Sequence, residues 1–462
     1  MPMNPRVFRE YDIRGRADRD LPDDFALDLG RAIGTHLRRA GAKTMTLGRD
    51  CRVSSPRLHA ALREGLLSTG MQVWDVGIVA TPILYYSVFH YDADGGIMLT
   101  GSHNPPEDNG FKILRGKSTI HGAEIQALRT LVENRDFVAG QGSVESRSII
   151  PEYLAMAKGR IELGPRRFGV VVDAGNGVGG PAAPLIESLG FPVTKLYCDE
   201  DGRFPNHHPD PTIPENVADL IATVQSTGAE VGIALDGDAD RIGVVDRKGR
   251  IVWGDQLMIL FARAILAEVP GATFVSEVKC SKALYDEIAR AGGRAIMWKV
   301  GHSLIKEKMK EEKALLAGEM SGHIFFAHRY FGYDDAIYAA ARLVELLSRS
   351  DKTLEDHVDS LPHFFNTPEI RYELADEVKF DVVKRVVARF QGDHGHGISE
   401  VVVVDGARVL WPDAWALVRA SNTQAALVLR FEAESQARLD EVRAFVEAQL
   451  KAAEADAHAA KT

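Results

Sequence analysis

The sequence predicts an α/β fold class: several mixed, doubly wound α/β domains closed by a C-terminal α+β module. Three observations carry this expectation. The first three-quarters of the chain alternates short β-branched runs with helical patterns. Those runs are almost continuously apolar and end in polar loops, as buried parallel strands do. After about Leu361 the strands follow one another closely, with helical segments set apart from them.

Taken in order, MTLGRD (45–50) reads as a strand and PRLHAALREGLLSTG as a helix ending in glycine. MQVWDVG is a strand, and GGIMLTGSHNP is a strand running into a loop. FGVVVDAGNGVGG followed by PAAPLIESLG gives strand, glycine turn and helix. VGIALDGDADRIGVVD is a strand–loop–strand unit, and ATFVSEVKCS and RAIMWKVG repeat the strand-then-loop theme. Repetition of this kind implies several doubly wound units. Beyond them come HFFNTPEIRYEL, a helical EVKFDVVKRVVARF, then VVVVDGARVLW, WALVRAS and ALVLRFEAES, which suggest an antiparallel meander. SQARLDEVRAFVEAQLKAAEA has helical spacing. Loop-like stretches with glycine or proline near 137–151, 247–254 and 361–368 divide the chain into 1–148, 149–250, 251–362 and 363–462.

The totals bound the function. At about 150 residues per domain, 462 residues make three or four domains. A net charge of -10 argues against general nucleic-acid binding, which needs a basic face. It leaves room for a small anionic ligand held by a local cluster of Arg and Lys. Cys51, Cys198 and Cys280 are odd in number, far apart and outside any CxxC, which fits a reduced cytoplasm. The start has no apolar h-region, and LMILFARAILAEV is too short for a membrane span and contains Arg263. A cytoplasmic monomer without nucleic-acid or membrane partners is expected.

Some motifs resemble known chemistry and then fail on spacing or residue identity, or have a plainer explanation. Gly116-Lys117-Ser118 ends like a P-loop, but five residues separate it from Gly110 where that motif has four. Asp236-Gly-Asp238-Ala-Asp240 starts like a calcium loop, but Arg241 and Arg247 stand at its sixth and twelfth positions. Ser102 is not a nucleophile elbow, because GxSxG fails at Thr100 and Asn104. Gly175-Asn-Gly177-Val-Gly179-Gly180 fits GxGxxG, with Asp199, Glu200 and Asp201 about 20 residues on. A tight strand-to-helix turn explains those glycines equally well.

Four loops remain. Asp236, Asp238 and Asp240 repel one another, and a divalent cation such as Mg²⁺, which suits oxygen-only ligands, would neutralise them. A solvated acidic turn is the alternative. TGSHNPPEDNG (100–110) offers a hydroxyl and an imidazole on a backbone stiffened by Pro105 and Pro106, with Lys112 shortly after. Taken alone, it reads better as a proline-fixed turn. Gly318-Glu319-Met320-Ser321-Gly322-His323 could hydrogen-bond vicinal sugar hydroxyls, and Arg419-Ala-Ser421-Asn422-Thr423-Gln424 could surround a phosphate.

Together and in this order, these motifs are highly specific. The chain resembles the α-D-phosphohexomutase family, most closely its phosphomannomutase/phosphoglucomutase branch. The resemblance runs from FREYDIRG through LGRDCR, TGSHNPPEDNGFKI, LDGDADRIGVV, EVKCS, WKVGHSLIK and GEMSGHIFFAHRYFGYDDAIYAAARL to LVRASNTQAALVLRFEAE. It implies four domains around a central active-site cleft, with a phosphoserine loop, a metal loop, a sugar loop and a phosphate loop on successive domains.

The resemblance also implies roles. Ser102 matches the phosphoserine, and Ser102, Asp236, Asp238 and Asp240 match the Mg²⁺ ligands. The implied reaction moves phosphate reversibly between O1 and O6 of a hexose through a hexose 1,6-bisphosphate that turns around in the closed site. Glu319 and Ser321 match residues that hold sugar hydroxyls, and Arg419, Ser421, Asn422 and Thr423 match the clamp on the phosphate not being transferred. Tyr11, Arg14, Lys279 and His302 match other substrate or phosphate contacts. Lys112, Arg241 and His323 match residues near the transferring phosphate, suited to charge stabilisation or proton transfer. His103 is read as orienting the loop. Met320 within EMSG points to mannose and glucose phosphates rather than glucosamine phosphate.

Two residues depart from the family pattern. Ala239 stands where glycine is frequent, a harmless exchange if its backbone avoids positive φ. Ala425 stands where proline is frequent, which loosens the phosphate loop. A serine-dependent phosphatase and a nucleotide-binding protein built on the GxGxxG turn are the competing classes.

Overall fold

The computed structural model describes residues 3–393, 395–421 and 425–459. Four sheets organise them, one per domain. In the first, Gly95–Leu99, Thr44–Arg49, Gln72–Ile78 and Ser143–Ser146 run parallel in that spatial order. Asp108–Arg115 is added antiparallel beside Gly95–Leu99, and Ile13–Arg16 antiparallel beside Asp108–Arg115 at the edge. The second sheet pairs Val193–Leu196, Val170–Asp173 and Val231–Leu235 in parallel, then adds Ile242–Asp246 antiparallel. The third pairs Arg294–Trp298, Thr273–Glu277 and Leu316–Gly318 in parallel, then adds Ile324–Phe326 antiparallel. The last is wholly antiparallel, with Ala407–Leu410, Ala414–Ala420 and Ala426–Ala433 at its centre, and is covered by helices Asp376–Gln391 and Gln436–Ala459.

All four expected ligand loops join antiparallel strand neighbours. They connect Gly95–Leu99 to Asp108–Arg115, Val231–Leu235 to Ile242–Asp246, Leu316–Gly318 to Ile324–Phe326, and Ala414–Ala420 to Ala426–Ala433. The direction follows from loop length. A loop such as 236–241 is far too short for the crossover that parallel strands require, so the chain returns alongside itself. The expectation of parallel strands is therefore corrected: Ile242–Asp246, apolar up to Asp246, and Ile324–Phe326 are fully buried, yet antiparallel.

The serine loop sits at a topological switch point. From Thr44–Arg49 the chain moves to Gln72–Ile78 on one side, and then crosses to Gly95–Leu99 on the other. Ligand sites in doubly wound sheets form in the crevice beyond such carboxyl ends. Arg52 and Ser102 lie just past those two strand ends.

One segment read as a loop is partly regular. Ser143–Ser146 pairs with Gln72–Asp75 as an edge strand, although all four of its residues are exposed. Backbone pairing makes this strand without a buried side chain.

The apolar core joins the domains unequally. A single cluster runs from Val76, Tyr85 and Tyr153 through Val172, Ile233 and Phe261 to Tyr338 and Leu354, fusing the first three domains. Its centre is helix Ala336–Arg349, capped by Asp335, whose Oδ1 accepts from Tyr338 N at 2.8 Å. The fourth domain has its own core and shares with the third only a small cluster of Val278, Trp415 and Leu417. No helix among the described residues is long and apolar enough to cross a membrane.

Candidate active site

The serine loop is held from beneath by one buried arginine. Arg52 Nη2 donates to Ser102 O at 2.7 Å and Asn104 O at 2.6 Å, and Nη1 donates to Pro105 O at 2.5 Å and Asp108 O at 3.0 Å. Asp50 completes the support: Oδ2 accepts from Gly101 N at 3.0 Å and lies 3.3 Å from Arg52 Nε. The rigid guanidinium fork satisfies four carbonyls that a tight turn leaves open. Ser102 itself has φ +48°, a left-handed conformation that costs a non-glycine residue about 1 kcal/mol or more. Arg14 Nη1 reaches the same loop, donating to Asn104 Oδ1 at 2.8 Å.

Ser102 is 2% exposed, and its Oγ donates to Asp236 Oδ2 at 2.7 Å. His103 Nδ1 lies 3.1 Å from the same oxygen. Burial, with Arg241 and Arg14 nearby, pushes the His103 pKa well down, so its imidazole is neutral. The metal loop packs directly on the serine loop: a Cβ at Gly237 would lie 2.3 Å from Ser102 O, so this position requires glycine. Ala239 has φ +59°. The condition for a harmless exchange therefore fails, and alanine carries left-handed strain there.

Asp236, Asp238 and Asp240 are all buried, with ligand oxygens within 4.8 Å of one another. Lys112 Nζ donates to Asp238 Oδ2 at 2.7 Å and also to Asp240 Oδ2. Asp238 Oδ1 and Asp240 Oδ1 have no hydrogen-bond partner. Burial and the two neighbouring carboxylates drive the Asp236 pKa well up, while Lys112 and Thr81 outweigh burial at Asp238 and hold it low. A divalent cation fits this set, since it would satisfy the open oxygens and neutralise the acids. Burial opposes the Lys112 charge, but Asp238 and Asp240 outweigh it and raise its pKa well above the usual value. Lys112 is therefore a fixed cation.

The sugar loop joins this centre through backbone and side chains. Ile242 N donates to Gly322 O at 3.0 Å, and Arg241 Nε donates to His323 Nε2 at 2.9 Å. His323 Nδ1 then faces Asp334 Oδ2 at 3.2 Å and Asp240 Oδ1 at 3.5 Å. Asp240, His323 and Asp334 form a second group of clustered ligand atoms, which shares Asp240 with the first. His302 stacks on His323 at 5.8 Å, and burial and Lys306 hold its pKa well down.

Glu319 Oε1 accepts from Gly301 N at 2.9 Å, with Ser321 Oγ 3.4 Å from Oε2. Tyr11 OH donates to Val300 O at 2.9 Å, and its ring stands 6.0 Å from that of His302. Lys279 Nζ lies 3.2 Å from Glu369 Oε2 and 3.6 Å from Glu277 Oε1. Arg419 Nε donates to Asp405 Oδ2 at 3.0 Å, and the same oxygen accepts from Val300 N at 3.1 Å. Ser421 is buried at the end of its strand, where its carbonyl accepts from Lys379 Nζ at 2.7 Å. Asn422 and Thr423 lie outside the described residues.

The GxGxxG turn has a structural explanation. Val178 N donates to Gly237 O at 3.1 Å, so the turn buttresses the metal loop. Sequence reading assigned no role to Asp50, Arg52, Thr81, Glu277, Asp334 or Asp405. Asp50 and Arg52 did lie inside the quoted motif LGRDCR, Glu277 inside EVKCS and Asp334 inside FGYDDA.

Comparison with known proteins now separates the fold from its family. Residues 5–139, 151–249 and 253–365 match the alpha/beta/alpha domains I, II and III of phosphoglucomutase/phosphomannomutase, and residues 369–449 match its C-terminal domain. The chain belongs to the phosphoglucomutase/phosphomannomutase family. Within the family, it is 47% identical over 447 residues to a phosphomannomutase/phosphoglucomutase of Pseudomonas aeruginosa, covering 96% of each chain. It is 45% identical to a phosphoglucomutase of Neisseria gonorrhoeae, covering 95% of each. A crystal structure of a phosphoglucomutase/phosphomannomutase family protein from Burkholderia thailandensis superposes with a TM-score of 0.93, at 41% identity and 98% coverage of both chains.

Proposed function

We propose that the protein interconverts the 1-phosphate and 6-phosphate of mannose, glucose or both, with Ser102 as the covalent carrier of the phosphoryl group. The observation that carries this reading is the Ser102 Oγ–Asp236 Oδ2 contact of 2.7 Å, inside a carboxylate cluster with open oxygens. Family membership supports the reaction class.

In the first half-reaction the bond from phosphorus to Ser102 Oγ breaks and a bond to the free sugar hydroxyl forms. The hydroxyl proton leaves the sugar, and Ser102 Oγ regains a proton. The resulting hexose 1,6-bisphosphate turns around, and its other phosphate returns to Ser102. Added bisphosphate would therefore also prime an unphosphorylated enzyme. Mg²⁺ held by Asp236, Asp238, Asp240 and the phosphoserine would polarise the phosphoryl group.

The chain's own groups divide the remaining work. Lys112 stays charged between Asp238 and Asp240 and stabilises charge on the transferring group. Arg241 adds a second cation on the same side and fixes the His323 ring. His302 stacks on His323 at 5.8 Å and stands beside Tyr11, which suits it to a substrate contact. Glu319 and Ser321 would hold hydroxyls common to both sugar orientations. Arg14, Tyr11, Lys279, Arg419, Ser421, Asn422 and Thr423 would hold the remote phosphate and the sugar. All three cysteines are free, and the proposed setting is a reducing cytoplasm, with the chain as a monomer.

A coupled assay with glucose 1-phosphate or mannose 1-phosphate and a trace of 1,6-bisphosphate tests this. Formation of the 6-phosphate supports the mutase. Release of inorganic phosphate alone makes the protein a phosphatase.

A further inference from the structure

The segment 278–281, which carries Lys279, follows the third domain's strand Thr273–Glu277. Within the third domain, Val278 N donates to Trp298 O at 3.0 Å and Ser281 N to Asp255 Oδ2 at 2.9 Å, and further bonds reach the fourth domain. Arg408 Nη1 donates to Val278 O at 2.6 Å and Cys280 O at 2.7 Å. Arg430 Nη1 donates to Lys279 O between them. Glu432 Oε1 accepts from Ser281 Oγ at 2.9 Å, Lys282 N at 3.1 Å and Trp415 Nε1 at 2.8 Å. The segment is thus bonded to both domains, with its carbonyls at Val278, Lys279 and Cys280 taken by arginines of the fourth.

Arg408 is the costly member of this contact. It is 1% exposed, and no carboxylate among the described residues lies within ion-pair distance of it. Its guanidinium lies 3.8 Å from the Trp415 ring centroid, which supplies a cation–π contact. Burial pushes its pKa down, against the pull of Tyr285 and Glu432. A buried cation without an anionic partner adds little net stability. What it does fix is geometry: two carbonyls flanking Lys279 are bound by one nitrogen, Nη1, which sets the direction in which the Lys279 side chain leaves the backbone. That nitrogen is held in place because the planar guanidinium stacks on Trp415, a packing that lysine's flexible stem and compact ammonium do not reproduce.

We propose that Arg408 is a positioning residue: by clamping the peptides on either side of Lys279 it aims the Lys279 ammonium at the substrate's anionic group and ties that ammonium to the domain carrying Arg419. This rests on the reading of Lys279 as a substrate ligand. Sequence motifs assign Arg408 no role, because its acceptors are backbone carbonyls.

The test is a double-mutant cycle on the full-length enzyme, with Arg408→Met, Lys279→Ala and the pair, read as kcat and KM for glucose 1-phosphate. Each single variant is expected to lower kcat/KM at least about 10-fold, mainly through KM, and the double variant is expected to stay within about 2-fold of Lys279→Ala alone. Additive losses would show that Arg408 acts independently of Lys279 and overturn the proposal. So would an unchanged KM in Arg408→Met. A wild-type KM in Lys279→Ala would refute the reading of Lys279 itself, and the clamp with it. Arg408→Lys run through the same cycle covers the case in which methionine prevents folding. It keeps the charge and loses the planar stack on Trp415 that places Nη1, so it is expected to show the same KM-weighted loss, and a wild-type KM there would also overturn the proposal.

Discussion

Ser102 Oγ lies 2.7 Å from Asp236 Oδ2, although 134 residues separate the two along the chain. Each comes from a loop that follows the carboxyl end of a parallel strand, and the loops meet because Gly237 leaves room for the Ser102 carbonyl. The serine hydroxyl of one domain is thereby placed against the acids of the next.

Arg52 is expected to matter to turnover more than to binding, since it fixes the serine backbone. Arg52→Lys keeps the charge but cannot bind four carbonyls. kcat is expected to fall about 10- to 100-fold, with KM changing little, because small misplacements of a reacting group are expensive. Steady-state kinetics check this, and a wild-type kcat would contradict it.

Ala239 should tolerate glycine unusually well. Removing its methyl loses roughly 1 kcal/mol of burial, but relieves about 1 kcal/mol of left-handed strain. Ala239→Gly is expected to stay within about 1 kcal/mol of wild type, whereas Ala234→Gly, on the buried strand Val231–Leu235, is expected to cost about 1–2 kcal/mol. Urea unfolding of both variants measures the difference, and equal losses would count against the strain.

Arg419→Ala is expected to raise KM about 10- to 100-fold and leave kcat within a few-fold, as loss of a contact to a phosphate that does not react should do. A change confined to kcat would contradict that role.

Glu277 links stability to pH. Its carboxyl is fully buried, and burial with Glu319 nearby pushes its pKa up to about 7 against the pull of Lys279. An acid with a raised folded-state pKa stabilises fully below its unfolded value, here 4.5, and loses that contribution as pH rises through about 7. Glu277→Gln should therefore gain about 1–3 kcal/mol relative to wild type between pH 5 and pH 8. Unfolding curves at the two pH values check this, and parallel behaviour would refute it.

Residue pattern alone made much of the fold legible. Apolar runs such as VVVD and VGIAL, each ending in a polar loop, marked the strands of the α/β domains. Strand direction was less legible, because Ile242–Asp246 is as buried as any parallel strand, and only the short loop before it forces the return. The exposed SVES strand left no apolar signal at all. At the site, alternating carboxylates suggested a cation from spacing alone. The meeting of Ser102 with Asp236 came only from resemblance, since no local pattern encodes a contact between domains. Arg52 and Arg408 stayed silent for a related reason: both bind backbone carbonyls, which any sequence supplies.

The most direct test of the account follows the phosphoryl group. Enzyme exposed to labelled hexose 1,6-bisphosphate, then freed of ligand, should carry one label on Ser102, seen by intact mass and peptide mapping. Unlabelled hexose monophosphate should then remove it as bisphosphate, and Ser102→Ala should take up no label and lose at least about 1000-fold in turnover. Label on another residue, or near-normal turnover by Ser102→Ala, would contradict the account.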